Sequence, residues 1–172
     1  VVSTDGTIYF TNPGGRVKPA EREILISGVH TISASGTVSL AGAEFEYPNG
    51  LAFSPDETLL YVSNTRPSMD IRVFDVRPDG SLKNGRVFAD MSSSDNDGVP
   101  DGMKVDVEGR VYCAGPGGCW VFEPSGEHLG TIRLPEVPAN CAWGGPDNRT
   151  MYFTARTSIY SLRMHTPGMS VR

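Results

Sequence analysis

PNGLAFSPDETLLYVSN, residues 48–64, contains two short apolar runs on either side of a tight turn. The second run, residues 59–64, is rich in β-branched and aromatic residues, as β-strands are. Three other stretches repeat it: TIYFTN at 7–12, RVYCA at 110–114 and MYFTA at 151–155. Each copy carries a tyrosine, at positions 9, 61, 112 and 152, so the intervals are 52, 51 and 40 residues. These intervals are close to the period of about 40–50 residues that is typical of β-propeller blades.

The residues around each copy predict further strands. A turn-forming group precedes the tyrosine strand, and a short apolar run precedes that turn, as in LAF at 51–53, MKV at 103–105 and CAW at 141–143. Two more strands follow, as at 71–76 and 85–90. Because four strands make a propeller blade, the sequence predicts an all-β fold, a β-propeller of about four blades.

The predicted blades form a single, partial domain over residues 1–172. Only Val1 and Val2 stand where the first inner strand belongs, and the last outer strand is lacking. An open array of blades would expose a sheet edge and an apolar face. We therefore expect further blades on the N-terminal side, with closure by a second copy of the chain as the alternative.

Composition argues against several classes of partner. Fifteen Lys and Arg against 20 Asp and Glu give a formal net charge of -5, and no basic stripe is present to neutralise phosphates. Nucleic acid and membranes are therefore not expected as partners. No apolar run approaches the roughly eighteen residues that a membrane span needs. The sequence predicts no particular oligomeric state.

The three cysteines, Cys113, Cys119 and Cys141, are too few and too odd in number for a disulfide-stapled secreted fold. We therefore expect a reducing compartment, the cytoplasm, with export as the alternative if a leader precedes Val1. Cys113 and Cys119 flank the turn AGPGG at 114–118. Buried thiols are favoured there, and a disulfide across the hairpin is the alternative.

Three polar residues stand directly before the inner strands: Asn49 and Asp101, each between Pro and Gly, and Asn140 in PAN at 138–140. Inner strands of a propeller surround one channel and begin at the same end, so these side chains are expected to converge. Amide and carboxylate oxygens suit Ca²⁺, Mg²⁺ or Mn²⁺, and Zn²⁺ also accepts oxygen ligands. Such tripeptides are also common turn sequences. Their recurrence at one phase of the repeat favours a metal site over turns alone.

Longer stretches around these residues resemble the family of senescence marker protein SMP-30, gluconolactonase and luciferin-regenerating enzyme, which are six-bladed propellers. The stretches are PNGLAFSPDE at 48–57, LYVSNT at 60–65, PDGMKVDVEG at 100–109 and NCAWGG at 140–145. The resemblance covers nearly the whole chain. It implies that the 172 residues are a C-terminal portion, and that a metal-binding Glu and a substrate-binding Asn lie in blades that precede Val1.

The resemblance also implies hydrolysis of a sugar lactone, the small-molecule partner, with a divalent cation as cofactor. Matching motif to motif makes Asn49 and Asp101 ligands of that cation, Ca²⁺ first, with Zn²⁺, Mn²⁺ or Mg²⁺ as alternatives. The cation would polarise the lactone carbonyl, and Asp101 would also be the catalytic base that deprotonates the attacking water. Asn12 and Arg16, in a loop equivalent to one that lines the family's substrate pocket, and Asn140 are the expected substrate-binding residues.

Two other functions stay open from the sequence. The same scaffold and metal could serve another lactone or an organophosphate ester, because these motifs do not fix the pocket walls. A propeller without catalysis could instead act as a binding module. No Gly-x-Ser-x-Gly elbow occurs, which agrees with chemistry that needs no serine nucleophile. We expect the segment alone to carry an incomplete site.

Overall fold

The computed structural model describes residues 1–14, 17–43 and 45–169, where the secondary structure is almost entirely β. Four antiparallel sheets follow one another along the chain. The first contains β1 (Ile8–Asn12), β2 (Gly28–Ile32) and β3 (Val38–Gly42), and the second β4 (Pro48–Phe53), β5 (Leu59–Asn64), β6 (Asp70–Val76) and β7 (Leu82–Asp90). The third contains β8 (Met103–Val105), β9 (Val111–Gly115), β10 (Gly118–Phe122) and β11 (His128–Ile132), and the fourth β12 (Pro138–Gly144), β13 (Thr150–Ala155) and β14 (Ile159–Arg163).

Helical structure is limited to one 3-10 turn, Pro19–Glu21, in the described ranges. None of the helical structure found there has the length and apolar character that a membrane crossing requires.

Strand order within every sheet equals chain order, so each sheet is a simple meander. The second, third and fourth sheets begin with β4, β8 and β12. β8 contacts both β4 and β12, and β1 of the first sheet contacts β4. Val2 forms a single bridge to Ile8, where the predicted inner strand of the first sheet belongs. This radial arrangement, with inner strands side by side, is that of a propeller. The prediction of an all-β propeller is confirmed. Among the described residues the second and third blades have four strands each, and the first and fourth have three.

The repeated tyrosine packs each sheet against the next one. Tyr9, Tyr61 and Tyr112 are all buried, and they belong to three successive apolar clusters that fill the spaces between the four sheets. A buried aromatic side chain removes a large apolar area from water, which explains its recurrence. Tyr152 is 42% exposed, because it lies on the face of the fourth sheet that no other described sheet covers.

The three cysteines are buried free thiols, as favoured from the sequence. The alternative of a disulfide between Cys113 and Cys119 is wrong. Cys113 pairs with Trp120, whereas Cys119 pairs with Ala114, so the two thiols project from opposite faces of the third sheet. Burial also raises the pKa of Cys113, which keeps that residue in its unreactive thiol form at neutral pH.

Candidate active site

A β-bulge at the start of β4 places Asn49. Pro48 pairs with Asn64 and Leu51 pairs with Val62, so Asn49 and Gly50 together face Ser63 alone. Such an extra residue bends the strand and redirects its side chains, and bulges are common next to active sites. The side chain of Asn49 therefore does not follow the regular alternation of side chains between the two faces of the sheet.

Two hydroxyl groups at the end of β5 join Asn49 to Asp101. Ser63 Oγ accepts the Gly50 N–H at 2.7 Å and donates to the Asp101 carbonyl oxygen at 2.7 Å. Thr65 Oγ1 accepts from the Asn49 amide at 3.1 Å and donates to the Pro100 carbonyl at 2.8 Å. Both residues are buried, so these hydrogen bonds are shielded from water and hold the second sheet to the third.

The two backbones approach each other closely at this point, which requires glycine. A Cβ atom on Gly50 would lie 2.3 Å from the Asp101 carbonyl oxygen and 2.9 Å from the Met103 nitrogen. Every close neighbour of that position is backbone and cannot turn aside. Gly50 thus permits the contact between β4 and the segment before β8 that brings Asn49 to Asp101.

The pKa of Asp101 depends on its burial and on the nearby Asn49 side chain. Partial burial raises the pKa of Asp101, and a hydrogen-bonding contact from the Asn49 side chain opposes that rise. Desolvation disfavours the charged carboxylate, so Asp101 is a stronger base than an exposed aspartate. A nearby cation would favour the charged form again, for the same electrostatic reason.

Asn49 and Asp101 line one cavity of about 510 Å³. Its described walls come from the loop after β1, from Tyr47 and Pro48, and from Thr65, Arg66 and Val99. The volume lies within the range of about 300–1,000 Å³ that is typical of small-molecule sites. The cavity wall includes amide, hydroxyl, carboxylate and guanidinium groups, and the volume is large enough for a small substrate.

The other predicted site residues do not all line the cavity that contains Asn49 and Asp101. Asn12 lines the same cavity, and its side-chain amide donates to the Ile26 carbonyl at 3.4 Å. Asn140 lines a neighbouring cavity of about 290 Å³ that also touches Asn49, and its Oδ1 accepts the Cys141 N–H at 2.8 Å. Arg16 lies outside the described residues. The roles of all these residues stay predictions.

Sequence reasoning gave no role to Ser63, Thr65, Tyr47 or Arg66. The first two hold the site together, and the other two form part of the cavity wall. The sequence contains a signal for this site, because three polar residues, Ser63, Asn64 and Thr65, directly follow the apolar residues 59–62. All three are buried in the structure. Buried polar groups need hydrogen-bond partners, so a Ser-Asn-Thr run there indicates a built polar site.

The donor set fits a divalent cation that prefers oxygen ligands. The Asn49 amide nitrogen donates to Thr65, and no described group donates a hydrogen bond to the Asn49 side-chain oxygen, so that oxygen and the Asp101 carboxylate are the two candidate donor groups on this cavity. The part of the chain that the structure describes contains no group of three or more His, Cys, Asp or Glu residues placed to bind one metal ion. Ca²⁺ takes about six to eight oxygen ligands, so these two residues would supply only part of its coordination.

Comparisons with known proteins agree with the fold and the motifs. A family model described as SMP-30/Gluconolactonase/LRE-like region matches residues 1–157. The chain is 34% identical over 177 residues to a gluconolactonase of Zymomonas mobilis, covering 96% of this chain and 49% of that protein. It is 31% identical to the pentonolactonase XacC of Haloferax volcanii, covering 84% of this chain and 51% of that protein. The chain thus spans about half the length of the curated relatives it matches.

A solved gluconolactonase structure from Xanthomonas campestris superposes with a TM-score of 0.82 at 34% identity, covering 96% of this chain and 55% of that one. This similarity agrees with the blade assignment made from the strand pairing.

Proposed function

The chain belongs to the SMP-30/Gluconolactonase/LRE-like family, and on that premise we propose that the full-length protein hydrolyses a sugar lactone with the aid of a divalent cation. The observation that carries the proposal is that Asn49 and Asp101, 52 positions apart in the sequence, line one cavity. The Ser63 and Thr65 hydroxyl groups hold together the two segments that carry them. Relatives named gluconolactonase, pentonolactonase and L-arabinolactonase support a sugar lactone as the class of substrate.

Asp101 is the proposed general base. Water must lose a proton as it attacks the lactone carbonyl, and the Asp101 carboxylate takes that proton. When the ring C–O bond breaks, Asp101 returns the proton to the departing ring oxygen, which leaves as a hydroxyl group. The acyl carbon and the water oxygen end as the carboxyl group of the product. A bound cation would favour the charged carboxylate of Asp101, which is the form that a general base requires.

Asn49 and Asp101 would hold the cation through the amide oxygen and the carboxylate. Lewis-acid polarisation of the lactone carbonyl is the chemistry that a divalent cation would supply there when bound. Thr65 would restrict the rotation of the Asn49 amide, because its hydroxyl group accepts from the amide nitrogen at 3.1 Å. Asn12 and Asn140 are the proposed hydrogen-bonding partners of sugar hydroxyl groups, since an amide can both donate and accept.

The proposal is tested by following acid release from D-glucono-1,5-lactone in a pH-stat, above the spontaneous rate. The full-length protein is compared in Ca²⁺, Mn²⁺, Zn²⁺, Mg²⁺ and excess chelator. We expect turnover that chelator abolishes and one or more cations restore. Asp101→Asn should lower kcat by about 100-fold or more, because a general base contributes about 10²–10⁴ to the rate.

Asp79→Asn is the matched control, because Asp79 is an exposed turn carboxylate that accepts hydrogen bonds from Ser81. It should leave kcat unchanged. Turnover that persists in chelator, or an Asp101→Asn variant with native kcat, would refute the proposal. Calorimetric titration of the native protein with each cation gives a second readout, since binding should be lost in Asp101→Asn.

A further inference from the structure

Arg66 stands on the wall of the Asp101 cavity, directly after Thr65. Its guanidinium carbon lies 6.0 Å from the centre of the Tyr47 ring, at the outer limit of a cation–π contact. Tyr47 lines the same cavity. The aromatic ring thus lies beside the guanidinium at the side of the cavity, and no other described residue accepts a hydrogen bond from the guanidinium N–H groups.

Arg66 has no carboxylate partner within ion-pair distance among the described residues, unlike Arg86, Arg110 and Arg163. A guanidinium carries five N–H donors in a planar fork that matches carboxylate or phosphate. An arginine whose donors remain free beside a polar cavity is therefore available to a ligand.

The described cavity wall carries one charge of each sign. Asp101 is the only carboxylate and Arg66 the only guanidinium among the described lining residues. Neutral residues make up the remainder of that wall, including Asn12, Asn49 and Thr65. A substrate that places its carbonyl at Asn49 and Asp101 can thus present another substituent to Arg66.

We propose that Arg66 is a specificity-determining residue that favours sugar lactones with an anionic substituent, a carboxylate or a phosphate, on the part of the ring away from the lactone carbonyl. This inference rests on the proposed lactone hydrolysis and deepens it by naming the substrate class. Arg66 is exposed, so water and salt weaken the ion pair. The expected preference is therefore moderate, about 3- to 10-fold.

The first experiment measures binding without turnover. Methyl β-D-glucuronide and methyl β-D-glucoside are six-membered sugar rings that differ in one group, a carboxylate against a hydroxymethyl. Calorimetric titration of the full-length native protein should show about 3- to 10-fold tighter binding of the glucuronide, and the difference should shrink at about 0.5 M salt. Arg66→Met should abolish the preference.

Arg77→Met is the control, because it removes the same charge from an exposed turn between β6 and β7, outside the described cavity wall. It should retain the preference. The inference is overturned if the native protein does not prefer the glucuronide, if Arg66→Met keeps the preference, or if both variants lose it equally. Thermal unfolding of each variant verifies that it is folded.

The second experiment measures turnover of D-glucono-1,5-lactone, D-glucaro-1,4-lactone and 6-phospho-D-glucono-1,5-lactone. Arg66→Met should lower the ratio of kcat/KM for the preferred anionic lactone to kcat/KM for the neutral lactone by about 3- to 10-fold, mainly through the KM of the anionic lactone. The two anionic substrates distinguish a carboxylate from a phosphate. Hydrolysis of all three with no effect of Arg66→Met refutes this inference alone. Absence of hydrolysis of every lactone refutes the proposed function, whereas the glucuronide titration still decides whether Arg66 binds an anion.

Discussion

Replacement of Gly50 by alanine tests whether the approach of the second and third sheets creates the site. The new Cβ would lie 2.3 Å from the Asp101 carbonyl oxygen, whereas an ordinary contact is 3.4 Å or more. The two backbones would have to separate by about 1 Å. That movement would also stretch the two 2.7 Å hydrogen bonds through which Ser63 joins Gly50 to Asp101.

The expected cost follows from these contacts. Overpacking of a well-packed region costs about 1–3 kcal/mol, and each weakened hydrogen bond contributes about 1 kcal/mol. Alanine recovers about 0.4–1 kcal/mol by restricting the unfolded chain. We therefore expect Gly50→Ala to lower the free energy of unfolding by about 2–4 kcal/mol. For a domain of this size the melting temperature should fall by about 5–15 °C.

Gly42→Ala is the matched control, because the three atoms nearest to its Cβ would all belong to the Leu82 side chain, at 3.3 Å or more. Circular dichroism during heating and urea unfolding measure both variants, and calorimetry measures their affinity for Ca²⁺ and Mn²⁺. Gly42→Ala should unfold within about 2 °C of the native protein. Gly50→Ala should bind the cations at least about tenfold more weakly.

The reasoning would be refuted by a Gly50→Ala variant that unfolds with its control and binds cations as the native protein does. Such a result would mean that the two sheets have space to separate without cost at this point. An equal loss of stability in both variants would also contradict it, because the effect would then not be specific to the contact with Asp101.

Three further substitutions examine neighbouring groups. Asp101→Asn should raise the melting temperature in chelator at neutral pH, because burial raises the pKa of Asp101 and so penalises its charged form in the folded state. That penalty exists above the folded pKa and disappears as the pH falls below the unfolded value of 3.8, so melting curves at pH 3 should coincide. Ser63→Ala should cost about 1–3 kcal/mol in urea unfolding, because the Gly50 N–H loses its partner; an unchanged midpoint would contradict this. Asp106→Ala should cost about 3–5 kcal/mol, because the buried Asp106 carboxylate accepts from the Arg110 backbone and side chain and from the Tyr112 hydroxyl. A loss below 1 kcal/mol would show that water replaces it.

The blade architecture could be derived from the sequence because its determinants are local. A strand with a central tyrosine, preceded by a turn and an apolar run, recurs at a propeller interval. Hydrophobic alternation and turn residues act within a few positions of one another, so they remain visible in one dimension. The same phase of repeat also pointed to Asn49 and Asp101.

The hairpin between β9 and β10 shows where local pattern is insufficient. The sequence predicts a turn of five residues at 114–118, and this length is wrong. Gly115 and Gly118 pair, so that only Pro116 and Gly117 form the loop. Side chains alternate between the two faces of a sheet, so a change of one residue in the register reverses the face of each side chain. That register separates the thiols of Cys113 and Cys119.

The sequence by itself determined the strands, the repeat and the polar residues that begin the inner strands. Only the tertiary structure decided that Ser63 and Thr65 hold Asn49 against Asp101, that Asn140 faces a second cavity, and that Arg66 stands beside the first. These relationships depend on bulges and on the packing of one sheet against another. Both are set by the whole core, so no short stretch of sequence contains them.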